Sequence, residues 1–441
     1  GRMDRNNLAP RFGLAYQLRS STVIRAGYGL FYSSNTGNLD TTTGVPPTYS
    51  LAAPYVATTD GGATPYTTIS NPYPQGLPPV LGNALGLASR LGSSVDFVNQ
   101  YRVLPYAQQW QFSIQQSLPS RIRLEAAFVR MLSVKGLESF NLSEKPDRYL
   151  ALGAEENRRV PNPFFGIFPA DTSLGTSSTF VQRQFWLPYP QFTSVSMRAA
   201  NTRTTNYHAV ELSLEKRLSN GLTLLANYTA SKMMENNLTS LVNTRHYRSI
   251  SDLDVPYVAN IAYVYDLPFG KGQPLLSGAR GVFGKIVGGW VTSGRLYISG
   301  GPPLGISDTN GRPIRLRNAS KSGPIGERLG DRVDPVTKQV LNPYFDTTAF
   351  ASLPTQYTVA PEPPNFPELR APGKRTMDMS LIKRFRVRER VHIDVRADAN
   401  NLTNTPQFDS PGTNMANKAT FGVIQTAGPG RSVQFAFRAV F

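Results

Sequence analysis

Along this chain apolar and polar residues alternate with period two in stretches of about ten, the pattern of strands with two chemically different faces. Leu8, Phe12, Leu14, Tyr16 and Leu18 share one face of the first stretch, against Arg11, Gly13, Ala15 and Gln17. After a short turn, Ile24, Ala26, Tyr28, Leu30 and Tyr32 oppose Arg25, Gly27 and Gly29. Trp110, Phe112, Ile114 and Leu118 then alternate with glutamines and Ser113, and Ile122 to Phe128 returns with Arg121, Arg123 and Glu125 on the other face. Val210, Leu212 and Leu214 alternate with Glu211, Ser213 and Glu215, and Asn220-Gly221 supplies the positive φ of a tight hairpin before Leu222–Ser231. Further strands are predicted at Ile261–Leu267, Trp290–Ser299, Met377–Phe385, Val391–Ala397 and Val433–Phe441, eleven in all.

Alternation alone fits a soluble sandwich as well as a membrane barrel, and link lengths decide between them. Short links at 19–21, 119–120, 219–221 and 386–389 interleave with long ones near 33–104, 133–206, 232–257, 300–375 and 401–431. Short turns at one rim and long loops at the other are the outer-membrane arrangement, and a soluble domain rarely carries five such loops. With the C-terminus at the periplasmic rim, eleven strands put every short link on that side, with 268–289 its one longer member. The extended stretch Phe192–Arg203 breaks this parity as a spanning strand, so it is expected as an arm within an extracellular loop. Short helices are expected at Ala279–Val287 and Asp147–Asn157, and irregular chain at Pro361–Pro364.

Composition supports the same class. Only 17% of residues are charged, while Gly (37), Pro (35), Tyr (20) and Phe (23) suit many strands joined by turns. There is no cysteine, so neither a disulfide nor a thiolate metal site is expected. No apolar run reaches the roughly 18 residues of a membrane helix, a limit that leaves closed barrels untouched. The net charge of +17 raises nucleic acid as a partner, but the basic residues are scattered and form no recognised module. Arginine and lysine suit a polar lumen and rims that meet anionic outer-membrane lipid instead. The opening Gly1-Arg2-Met3-Asp4 lacks export-signal features, so the chain is expected to be a fragment or a processed product.

Six segments in order resemble a known family: NNLAPRFGLAYQL, TVIRAGYGLFY, NYHAVELSLEKRLSNGLTLLANYTASK, YVYDLPFGKG, ADANNLTNTPQF and GPGRSVQFAFRAVF. Together they resemble the C-terminal half of the barrel in TonB-dependent receptors of the Oar-like type. The resemblance implies an all-β, antiparallel transmembrane barrel of about 22 strands, of which residues 1–441 supply eleven. It also implies a plug domain and first strands outside this chain, and energy drawn through TonB, which engages the N-terminal region. The implied function is uptake of an unidentified substrate; a structural or adhesive surface barrel without transport is the alternative. One departure is visible: after the SDLD segment a basic pair is expected, and Val255-Pro256-Tyr257 stands there.

Candidate chemistry follows from these faces. Arg25, Glu211, Glu215, Arg295, Asp394, Arg396, Asp398 and Arg438 are expected to line the lumen and meet the plug. Val433, Phe435, Phe437 and the terminal Phe441 resemble the signal that barrel-assembly machinery reads, although a lipid-facing strand needs the same alternation. Tyr28, Tyr32, Trp110, Tyr263, Tyr265, Trp290 and Tyr297 are expected in the interfacial girdles. The loop aromatics Tyr49, Tyr55, Tyr66, Phe164, Phe165, Trp186 and Tyr189 either contact ligand or pack the loops, since large rings bury area in both roles. His208, His246 and His392 lack metal-ligand spacing, and His246, Asp252 and Asp254 share a loop without a legible nucleophile. Neither enzyme activity nor a cofactor is expected.

Overall fold

Strands of this kind satisfy their backbone groups only by pairing laterally, and here each pairs with its sequence neighbours. The computed structural model describes residues 6–33, 53, 55–77, 79, 82, 84–170, 172–386 and 392–440. Tyr49, Phe441 and most of the expected turn at 386–389 lie outside them. The ladder runs through β1 (Arg11–Arg19), β2 (Thr22–Tyr32), β3 (Tyr106–Leu118), β4 (Ile122–Asn141), β5 (Ser194–Ser219) and β6 (Leu222–Ser240). It continues through β7 (Tyr257–Asp266), β8 (Trp290–Ser299), β9 (Lys374–Arg386), β10 (His392–Asn400) and β11 (Ser432–Val440), every step antiparallel. Strands Ser94–Val98 and Arg245–Ile250 attach to β5 and β6, giving a 13-stranded sheet. Within the described residues β1 and β11 end the path and do not pair with each other, so the sheet is open.

Register sorts the side chains into two faces. One row runs Leu14, Ala26, Phe112, Phe128, Val210, Ala230 from β1 to β6. The same face continues through Ile261, Leu296 and Met377, and ends on Ala397 beside Phe435. The opposite face carries Arg25, Ser113, Ala127, Glu211 and Thr229 in one row. Tyr297 is a correction to the expected girdle: it pairs with Asn260 and Thr376 on the polar face. Its odd spacing from Trp290 puts the two on opposite sides of one strand.

The short links at 19–21, 119–120 and 219–221 are as tight as expected. Asn220 (φ 51°) and Gly221 (φ 76°) both adopt the left-handed region that a two-residue hairpin requires. The expected loop at 133–206 is shorter, because β4 runs on to Asn141 and β5 begins at Ser194. Bulges after Ser133, around Gly136 and after Glu138 bend this continuation into an arm, and Ser94–Val98 adds a parallel strand to it. Phe192–Arg203 is therefore largely part of a projecting arm and not a further spanning strand. The expected helices are present as a helix at Gly281–Val287 and a turn of 3₁₀ type at Asp147–Asn157, broken at Gly153.

Gly294 gives a test of the register. The Tyr263 ring from β7 lies over it, and a Cβ there would sit 2.8 Å from that ring and 3.0 Å from the Asp378 carbonyl oxygen. Gly294→Val is expected to cost about 1–3 kcal/mol by overpacking. The check is a lower urea midpoint for the refolded chain in micelles at unchanged m.

Candidate functional site

The polar face is a lattice of charges held by neighbours. Glu215 accepts from Arg123 (2.5 Å) and Arg217 (3.0 Å), and Arg25 donates to Gln115 Oε1 (2.7 Å). Arg295 Nε donates to Asn260 Oδ1 (3.0 Å), while Asp394 pairs with Arg384 (2.9 Å) and lies beside Arg438 in register. Arg396 pairs with Asp398 at 2.7 Å and also donates to Ser380 Oγ, which itself donates to Asp398. Arg295, Asp378, Ser380, Arg396, Asp398 and Gln434 line a pocket of ≈ 430 Å³. The expected lumen residues thus share one face, and none of them sits on the other.

The apolar face has polar boundaries. Arg130, His208 and Lys232 are successive cross-strand neighbours at its long-loop end, with Trp110 beside Arg130 (5.3 Å to the ring) and Tyr28 5.5 Å from Trp110. Lys216 marks the short-turn end of β5 on the same face. From His208 to Lys216 is roughly 26 Å of strand at about 3.3 Å per residue. At a strand tilt of about 40° this length projects to roughly 20 Å along the membrane normal, most of the apolar band of about 25 Å on a membrane barrel.

Past Lys232, on the long-loop side, carboxylates tie the loops to the sheet. Asp254 is 1% exposed, accepts from the Met233 amide (2.5 Å) and pairs with Arg370 (2.7 Å), which also donates to the Gly301 carbonyl (3.1 Å). The cation beside the SDLD segment therefore comes from a distant loop and not from the next residues. Glu235 accepts from Ser251 (2.6 Å), Asn237 (3.0 Å) and Arg203 (2.7 Å). Burial alone would raise its pKa, but these donors outweigh it and hold the carboxyl below the usual glutamate range. Asp254 is engaged by Arg370, Asp252 is exposed, and His246 lies on the Arg245–Ile250 hairpin, so the three form no catalytic set.

Sequence reasoning missed the cap. The loops 300–373 and 401–431 share an apolar core of Leu304, Ile306, Phe345, Phe350, Phe366 and Phe421, among others, with Phe345 0% exposed. Phe345 meets Phe421 edge-on at 5.2 Å and Phe350 at 6.2 Å. Backbone bonds from Tyr344 to Gly422 (2.7 Å) and from Ile424 to Leu329 (2.9 Å) join the two loops. The available signal was apolar density without a period, at Tyr344-Phe345, Ala349-Phe350 and Phe421 to Ile424.

A second loop cluster uses the expected aromatics unevenly. Trp186 is buried and stacked on Tyr149 (5.3 Å), and Phe164 stacks on Phe168 (4.5 Å). Tyr55, Tyr66, Phe165 and Tyr189 stay exposed, with Tyr66 accepting from Gln75 (2.7 Å). On β11, Val433, Phe435 and Phe437 are exposed along the apolar face.

A family model described as an outer membrane beta barrel domain matches residues 2–434. No curated protein matches the chain. Among solved structures, the outer membrane transporter YddB from Escherichia coli is similar at 11% identity and TM-score 0.44, over 99% of this chain and 41% of that one. The ferripyoverdine receptor of the outer membrane of Pseudomonas aeruginosa, bound to ferripyoverdine, is similar at 9% identity and TM-score 0.43, over 98% and 33%. The FrpB iron transporter from Neisseria meningitidis is similar at 11% identity and TM-score 0.40, over 98% and 39%. The chain spans a third to two fifths of the length of these structures.

Two outcomes are expected of the cap and its base. Phe345→Ala removes the centre of the cap core at a cost of about 3–5 kcal/mol. Amide exchange should then rise across 300–373 and 401–431, with the sheet still protected. The Glu235 network, with its folded pKa depressed, stabilises fully above the unfolded value of 4.5 and is lost as pH falls through the lower folded value. Exchange at 231–255, corrected for intrinsic rate, should therefore stay flat from neutral pH to 4.5 and increase below it. Glu235→Gln should remove that pH dependence.

Proposed function

This chain belongs to the outer-membrane β-barrel domain family, and on that ground we propose that it is the C-terminal barrel portion of a TonB-dependent receptor of the Oar-like type. The protein resides in the bacterial outer membrane. In this reading the parent imports an unidentified substrate. The polar face meets its own plug domain across a water-filled boundary, TonB acts through an N-terminal region, and the apolar face meets lipid. β11 carries Val433, Phe435 and Phe437 for barrel-assembly machinery, with Phe441 at its end, and the open edges of β1 and β11 pair with strands supplied by the parent.

The polar face carries this reading. Arg123 pairs with Glu215, Arg384 with Asp394 and Arg396 with Asp398, while Arg25 and Arg295 donate to side-chain amides, an arrangement suited to a wet wall that a mobile plug can slide past with these ions still paired. The ordered cap stands at the long-loop rim, where an incoming molecule would arrive first. An adhesive barrel needs such loops but has no use for a lumen wall of this kind.

The test is uptake in a strain lacking the full-length gene, against a panel of labelled iron chelates, cobalamins and oligosaccharides. Loss of uptake of one panel member, reproduced by inactivating TonB and restored by the intact gene, is expected. Unchanged uptake across the panel together with lost surface attachment would favour the structural alternative.

A further inference from the structure

The link between β7 and β8 is the one longer connection at the short-turn rim, and it is folded back on itself. Leu267 donates to the Trp290 carbonyl (2.9 Å), and Gly270 and Leu275 are joined by a 2.9 Å backbone bond. Gly270 has φ +102°, and a Cβ there would lie 2.6 Å from Gly288 Cα, so only glycine lets the two segments touch. This packing fixes the helix Gly281–Val287 against the sheet rim.

The helix is attached to the apolar face. Trp290 and Lys383 are cross-strand neighbours there, in the same row as Val395 and Phe437. Trp290 Nε1 donates to the Ile286 carbonyl (2.9 Å), and Lys383 Nζ donates to that carbonyl (2.9 Å) and to the Gly288 carbonyl. Both apolar-face side chains thus grip the C-terminal end of the helix. Its own apolar residues face away: Val282 is 75% exposed, Phe283 and Ile286 57%, with Leu275 and Leu276 exposed nearby. The three helical residues are one, three and four apart and share a face. Residues 268–289 also carry Lys271, Arg280 and Lys285 and no acidic residue.

We propose that this helix is an interfacial anchor lying in the phospholipid leaflet at the short-turn rim. Val282, Phe283 and Ile286 enter the headgroup–acyl boundary, while Lys271, Arg280 and Lys285 lie among anionic headgroups. Two arguments point to lipid as the occupant, the first resting on the proposed membrane reading. The helix continues the apolar face that this reading assigns to lipid, and the charge of its link is of one sign, complementary to an anionic leaflet. The anchor fixes the depth of β7, β8 and β9 in the membrane at the rim where the turns are too short to do so.

The chain has no cysteine, so single cysteines can carry a nitroxide label. Val282→Cys, Phe283→Cys, Ile286→Cys and, as a control on the cationic flank that the proposal puts at headgroup level, Lys285→Cys are placed in the full-length protein, with any cysteine elsewhere replaced by serine. Each is reconstituted into phosphatidylethanolamine–phosphatidylglycerol bilayers after its heat-modifiable migration has been verified. The labels at 282, 283 and 286 are expected to collide several-fold more with oxygen than with a water-soluble nickel complex, and the label at 285 the reverse. Equal nickel access at all four positions would place the helix in water and overturn the proposal. Low access to both reagents at 282, 283 and 286 would mean protein covers them, with the same result. Three positions sample one face, so loss of one variant to misfolding leaves the test intact.

Discussion

A strand in hydrocarbon has no water to satisfy its amides, so each must find a lateral partner, and that requirement runs through this chain strand by strand. Eleven strands pair in sequence order, with the register shifted at the bulges of β4 and β5 and the outer edges of β1 and β11 open among the described residues. Because side chains alternate, a slip of one residue anywhere would exchange the faces of everything beyond it. Lipid contact on one face and ion pairs on the other both rest on that register. Arg123 reaches Glu215, and Arg384 reaches Asp394, only because their strands are in step.

The sheet leaves its apolar side chains for lipid, and so it has little core of its own. The largest buried apolar cluster lies in the loops, where Phe345, Phe350, Phe366 and Phe421 meet. Loops of this length pay a large ordering entropy, offset here by aromatic burial and by a buried pair. Arg370 crosses from the cap to Asp254 at the sheet, and breaking such a pair typically costs about 3–5 kcal/mol. A cap held this way is a rigid surface at one rim and not a set of independent flaps. Links at the opposite rim are too short for such packing, apart from 268–289, which is closed by glycine contacts and tied to the sheet at Trp290 and Lys383.

The eleven strands of the main ladder, the faces they present and the alternation of short and long links were legible in the sequence, while the added strands Ser94–Val98 and Arg245–Ile250 were not. Each legible feature depends on spacing along the chain alone: period two places Arg25, Glu211 and Asp394 opposite apolar neighbours without knowledge of any partner. The same rule, applied to Trp290 and Tyr297, separates them, and grouping the two by residue type gave the wrong face for Tyr297. Turn chemistry at Asn220-Gly221 was equally local.

Only the tertiary structure decided what the loops do. Nothing periodic marks a core assembled from residues more than a hundred positions apart, so the cap read as irregular chain. Asp254 offered a candidate carboxylate until its partner proved to be Arg370, and Trp186 offered a ligand surface until Tyr149 was found stacked on it. The arm formed by the ends of β4 and β5 was hidden by bulges, which break the period on which strand recognition depends. Sequence therefore determined the two-faced wall, since its faces follow from spacing within each strand. The cap, the arm and the helix at the short-turn rim depend on contacts between distant segments, which only the folded chain brings together.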